Sequence, residues 1–220
     1  MYNQSYEGEV VLEFKDYNTF KLAKEDNLPQ GLKIKRDYEY NRPSVYLDTE
    51  DFDFLKQNAS LLIRPTNEKK VGAIIKYAHS SIVKEKLLVR SEQSDLVELR
   101  SIKESEFITY HFQLLNIDLS KVLMTKLIIT QNRYHKSTIN LENKIHFSFD
   151  KVNYFNSNNQ HISTSYIMEI EVTDKELTKL SNSQVGELAS YYTEKYGAEK
   201  LKLSSKYSKG LNLLKEYQQI

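Results

Sequence analysis

The sequence contains no cysteine, only three prolines and six glycines, and no apolar run long enough for a membrane span. Without cysteine there is no disulfide, no thiolate metal site and no cysteine nucleophile. So little proline and glycine leaves no linker-like stretch. With no internal repeat either, one domain over residues 1–220 is expected. A dominant charge sign is also missing. The 31 Lys+Arg against 30 Asp+Glu give a net charge of +1, which argues against a globally basic nucleic-acid binder. The opening Met1-Tyr2-Asn3-Gln4-Ser5-Tyr6-Glu7 is polar and lacks the apolar heart of a signal peptide. These absences predict a cytoplasmic domain with no membrane attachment and no nucleic-acid partner.

What is present suits a globular core: 40% hydrophobic and 28% charged residues over 220 positions. Segments rich in β-branched and aromatic residues predict strands near Glu9–Phe14, Val45–Leu47, Ser60–Arg64, Val71–Tyr77, Ile82–Arg90, Val122–Lys136, Lys144–Phe155 and His161–Val172. The polar run from Asn156 to Gln160 predicts a hairpin turn between the last two. Helices are predicted over Asp16–Asn27, Glu50–Gln57, Ser91–Leu115 and Lys175–Tyr196, the last carrying Leu177, Leu180, Val185, Leu188 and Tyr192 at helical spacing. Strand pairs broken by helices, without regular βαβ alternation, indicate an antiparallel α+β domain.

The strands carry their charge on one face. Side chains alternate along a strand, so residues of like parity share a side. Glu7, Glu9, Glu13 and Lys15 fall together, with Val11 as the apolar exception. So do Ser60, Leu62 and Arg64; Lys84, Lys86 and Arg90; Gln131, Arg133 and His135; His146, Ser148 and Asp150; and Glu169 with Glu171. Solvated outer faces of open sheets produce this pattern, and so does a closed barrel with a polar interior. Alternation alone leaves both open. The run Lys33, Lys35 and Arg36 reads as surface charge, and the five histidines show no metal-ligand spacing.

Seven short segments, in order, then point to one family. They are Glu9-Val10-Val11-Leu12-Glu13-Phe14-Lys15, Tyr46-Leu47-Asp48-Thr49-Glu50-Asp51, Ser60-Leu61-Leu62-Ile63-Arg64, Ala73-Ile74-Ile75-Lys76, Phe149-Asp150-Lys151, Glu169-Ile170-Glu171-Val172, and Ser204-Ser205-Lys206-Tyr207-Ser208-Lys209-Gly210-Leu211. Together they resemble the CYTH-type triphosphate tunnel metalloenzymes over nearly the whole chain. The resemblance implies an eight-stranded antiparallel β-barrel forming a tunnel, with helices packed outside and the charged faces turned inward.

The resemblance also implies a chemistry. A triphosphate carries about four negative charges near neutrality, and its hydrolysis needs that charge matched and the terminal phosphorus aligned with water. Lys15, Arg64, Lys76, Arg133 and Lys206 match phosphate-binding positions of the family, and Lys86 and Arg90 join them by strand parity. Glu13, Glu169 and Glu171 match acidic positions that hold Mg²⁺ or Mn²⁺, and Asp150 is expected to orient a basic neighbour. Lys15 and Glu13 would be catalytic. Val11 stands where the family has its first Glu, and Glu9 lies about 6.6 Å further along the strand. The expected activity is metal-dependent hydrolysis of inorganic triphosphate or a related small triphosphate. The alternatives are a catalytically weak or inactive triphosphate- or polyphosphate-binding module, adenylate cyclisation, or polyphosphate synthesis.

Overall fold

The structure, a computed structural model, describes residues 3–66, 69–78, 88–139, 145–173, 179–201 and 205–218. In chain order these form β1 (Asn3–Phe14), α1 (Tyr17–Glu25), β2 (Lys33–Thr49), α2 (Asp53–Lys56), β3 (Ala59–Pro65), β4 (Lys70–Ala78) and β5 (Leu88–Glu98). There follow α3 (Glu106–Leu114), β6 (Leu123–Ile139), β7 (Ile145–Phe155), β8 (His161–Thr173), α4 (Lys179–Tyr196), β9 (Glu199–Lys200) and α5 (Lys206–Gln218). The strands make one antiparallel sheet in the order β5-β4-β3-β2-β6-β7-β8-β1-β9. β1 also pairs with β5 from Asn3↔Ser94 to Glu9↔Leu88, so the run of eight long strands bends back on itself into a barrel. The stitching is uneven: β2 meets β3 only through Val45, Tyr46 and Leu47, while β2 and β6 pair along almost their whole length.

The antiparallel α+β class expected from sequence is the observed one. Two elements differ. Ser91–Leu115 is expected as one helix, but Ser91–Glu98 belongs to β5, Leu99–Ser101 makes a single 3-10 turn, and the α-helix covers Glu106–Leu114, capped by Ser105. Leu96 and Leu99 are exposed, whereas Val97 is buried and sits in a continuous ladder with β4. β2 is far longer than Val45–Leu47, because Lys33–Ser44 is polar on both faces and shows no apolar alternation. Of the strand expected over Ile82–Arg90, residues 82–87 lie outside the described residues.

Apolar residues collect in three clusters. α1 and α4 cover the outer faces of β1, β7 and β8 through Phe20, Ala23, Val185, Leu188 and Tyr192. α3 places Phe107, Ile108 and Phe112 against β3, β4 and β5. The third cluster fills one end of the barrel interior: Leu62, Ile74, Leu127, Tyr154 and Ile167 point inward, and α5 lays Tyr207 and Leu211 on them. Each fully buried large side chain of this kind contributes roughly 1.5–3 kcal/mol.

Helix ends are tied to the sheet. Asp16 accepts from Thr19 N at 2.9 Å at the start of α1. At its other end buried Lys136 donates to the carbonyl oxygens of Lys24 (2.6 Å) and Asp26 (3.3 Å), placing a cation where the helix dipole is negative. Asp48, fully buried, accepts from Thr49 N, Phe54 N and Leu55 N and from the Tyr207 hydroxyl, joining β2, α2 and α5. Burial raises the Asp48 pKa, against the pull of those donors. Tyr207 stacks on Tyr46 with centroids 4.9 Å apart and planes 3° apart.

Candidate anion-binding cavity

Strand alternation turns one face of each barrel strand inward. Above the apolar plug that face becomes polar and encloses a cavity of about 90 Å³. Six cations line it: Arg42 from β2, Arg64 from β3, Lys76 from β4, Arg90 from β5, Arg133 from β6 and Lys206 from the first turn of α5. Four carboxylates join them: Glu9 from β1, Glu92 from β5, and Glu169 and Glu171 from β8. A smaller cavity of about 50 Å³ lies alongside and shares Ser60, Lys76, Arg90 and Ser205 with it.

Most of the cations are already paired. Arg133 donates through Nε and Nη2 to the two oxygens of Asp150, at 2.7 and 2.6 Å, and Nη2 also reaches Glu169 Oε2 at 2.6 Å. Gln131 Nε2 adds a bond to Asp150 Oδ2 at 2.9 Å. Lys206 bonds Glu169 and lies 3.0 Å from Asp150. Lys76 pairs with Glu92 at 2.6 Å and Arg90 with Glu9 at 2.8 Å. Burial works to raise the Glu169 pKa, but the charges of Lys206 and Arg133 hold it well below the usual carboxylate range. Arg133, despite its burial, is raised well above the ordinary value by Asp150 and Glu169. Glu92 is lowered, because the Lys76 charge outweighs its burial.

Arg64 and Arg42 differ. Neither makes a salt bridge to a carboxylate among the described residues, and the Arg64 side chain bonds only the Ser44 hydroxyl, at 3.3 Å. Burial, reinforced by the nearby Arg42 charge, pushes the Arg64 pKa down to about 10. Arg90 pairs with Glu9 through Nη1, while its Nη2 is buried without a hydrogen-bond partner among the described residues. An arginine does not surrender its proton near neutrality, so this cationic excess favours a bound anion.

Of the residues singled out in the sequence, Arg64, Lys76, Arg90, Arg133, Lys206, Glu169 and Glu171 line the cavity. Asp150 lies behind it and accepts two bonds from Arg133. Two expected residues are elsewhere. β1 ends at Phe14, so Lys15 falls beyond the ladder and is exposed. Glu13 lies opposite Ile167 near the apolar plug and pairs with Lys209. The β1 carboxylate at the cavity is Glu9, opposite Glu171, with Val11 opposite Glu169. Lys86 lies outside the described residues. Arg42 and Glu92 were missed; extending β2 and β5 by parity would have placed both on the inner face.

The Mg²⁺ or Mn²⁺ implied by the resemblance finds no ready ligand set. Among the described residues no three His, Asp or Glu side chains gather to hold an ion. Glu13 is drawn off to Lys209, and Glu169 is held by Arg133 and Lys206.

Eight long antiparallel strands around a charged interior, with helices outside and one helix on the plugged end, make the CYTH-like tunnel fold. The solved structures agree. The chain is similar to a Bacillus halodurans protein proposed to be an adenylate cyclase, with 17% identity and a TM-score of 0.60 over 94% of this chain and 97% of that one. It is also similar to a Hippeastrum protein proposed as an adenylyl cyclase and found to have a dominant triphosphatase activity. There the identity is 16% and the TM-score 0.57, over 92% of this chain and 93% of that one. The sequence matches no protein-family model and no curated protein.

Proposed function

We propose that the chain binds a small triphosphate in the barrel cavity and hydrolyses its terminal phosphoanhydride bond, releasing orthophosphate. The observation that carries this reading is that Arg42 and Arg64, beside four further cations, make no salt bridge to a carboxylate among the described residues. Such a site matches a chain of phosphates, because the charges come from five strands and a helix and surround an elongated anion. Lys76, Arg90, Arg133 and Lys206 are held in place by their carboxylates, so their donors are oriented before the ligand arrives. In the reaction a water oxygen bonds to the terminal phosphorus as the bridging P–O bond breaks. Cations along the phosphate chain offset the charge that gathers on the leaving pyrophosphate. The triphosphatase activity of the Hippeastrum protein supports the assignment by analogy of fold.

A second reading is favoured by the pairing of Glu9 with Arg90 and of Glu169 with Arg133 and Lys206. With these carboxylates neutralised by the protein itself, the cavity grips triphosphate without turning it over.

One experiment separates the two readings. Phosphate release from inorganic triphosphate is followed with Mg²⁺, with Mn²⁺ and with chelator, beside calorimetric binding of the same ligand. Release establishes the hydrolase, and binding without release establishes the second reading. Arg64→Ala should weaken binding about 10- to 150-fold, the loss of one charge-assisted contact. Absence of binding under all conditions would refute both.

A further inference from the structure

A larger cavity lies on the outside of the barrel, between α1 and the sheet, with a volume of about 310 Å³. Its base is apolar and aromatic: Phe149, fully buried, and Phe20. Tyr17, Tyr134 and Tyr166 form its sides, and Tyr166 lies 5.5 Å from Phe20 and 5.6 Å from Tyr17 between ring centroids. Four polar side chains stand around this aromatic wall: Lys24, Lys151, Asn132 and Glu39. Lys24 lies 5.3 Å above the Tyr134 ring. Asn132 and Lys151 face each other across β6 and β7, one step along the ladder from Arg133 and Asp150. The pocket is therefore on the reverse face of the strands that carry the central ion pairs. No part of the triphosphate chemistry uses it.

We infer that this outer pocket is a binding site for an adenine nucleotide. Its size falls in the range of small-molecule sites, and aromatic walls accept the flat face of a base. The Asn132 amide offers one donor and one acceptor, the complement of the adenine N7 and N6 edge. Glu39 accepts a second bond from the exocyclic amine. Lys24 and Lys151 supply cationic contacts for a phosphate. Two cations against one carboxylate leave the pocket with a net positive charge suited to a nucleotide. The site stands independently of whether the central cavity hydrolyses triphosphate.

The test is calorimetric titration of the full chain with adenosine 5′-monophosphate, repeated with saturating inorganic triphosphate and with the Arg64→Ala variant. Binding is expected in all three, which separates the outer pocket from the central one. Lys151→Glu should weaken it by about tenfold or more, the loss of one charge-assisted contact. Inosine 5′-monophosphate should bind less well to the wild type, because its carbonyl oxygen meets Glu39, and Glu39→Gln should remove that preference. Lys151 and Glu39 are exposed, so neither change threatens the fold. No binding to the wild type would overturn the inference. So would binding lost in Arg64→Ala, or binding indifferent to Lys151→Glu. Failure of triphosphate hydrolysis with nucleotide binding intact would leave it standing.

Discussion

Replacing Asp150 with Asn tests how the centre of the cavity is held. The Asp150 side chain is fully buried and takes two bonds from Arg133 and one from Gln131, with Lys206 at 3.0 Å. Asparagine keeps the shape but removes the charge, leaving Arg133 and Lys206 to share Glu169. Breaking a buried ion pair from one side costs about 3–5 kcal/mol, and the retained shape places this change near 3. For a domain of this size that is a fall in melting temperature of roughly 6–12 °C. Circular dichroism melts at neutral pH, at low and high salt, would measure it, and the loss should change little with salt because the pair is buried. Added inorganic triphosphate should raise the melting temperature more in the variant than in the wild type, since it supplies the missing negative charge. A melting temperature unchanged to within about 2 °C would refute the reasoning, because the carboxylate would then contribute no more than a surface ion pair.

Other outcomes follow from the same geometry. A methyl at Gly210 would sit 2.2 Å from Leu127 Cδ2 and 2.8 Å from Tyr154 Cδ1, so Gly210→Ala should push α5 outward. It should lower stability by about 1–3 kcal/mol in thermal melts and weaken triphosphate binding by displacing Lys206. Gly186→Ala, in α4 with open space around it, should instead stabilise by about 1 kcal/mol. Glu9→Gln should release Arg90 and tighten metal-free triphosphate binding, whereas Glu13→Gln should leave binding unchanged; the reverse result in titrations would contradict the register of β1. Burial pushes His111 and His135 down to about 4, so both stay neutral in the fold while the unfolded chain takes up protons below about 6.5. The unfolded state then binds more protons, and stability should fall as pH drops from 6.5 toward 4. His135→Gln should flatten that slope in melts taken across the range.

Which residues share a face was legible because parity is a local property, and the family resemblance supplied the inward direction that alternation left open. Arg64, Arg133, Asp150, Glu169 and Glu171 each needed only a correctly placed strand to join the charged face. Residues whose position depends on a strand's end or its partner were not legible. Lys15 has the right parity, yet the ladder stops one residue before it. Glu13 has the right parity too, but the register with β8 sets it beside the apolar plug, and Glu9 takes the place opposite Glu171. Arg42 was hidden because its strand carries polar groups on both sides and is fixed by pairing with β6 rather than by an apolar face. The outer pocket had no sequence signature, since its side chains come from one helix and four strands.

That Lys206 reaches the cavity from α5 has a kinetic consequence. Contacts that complete the site join distant parts of the chain: Val11 lies opposite Glu169, and Lys206 bonds a carboxylate on β8. Such long-range pairings close slowly, because large loops must be ordered before any contact rewards them. Until α5 docks, Asp150 and Glu169 share the Arg133 guanidinium and lack the second cation that Lys206 brings. Docking of α5 thus covers the hydrophobic end of the barrel and sets Lys206 beside Glu169 in the same movement.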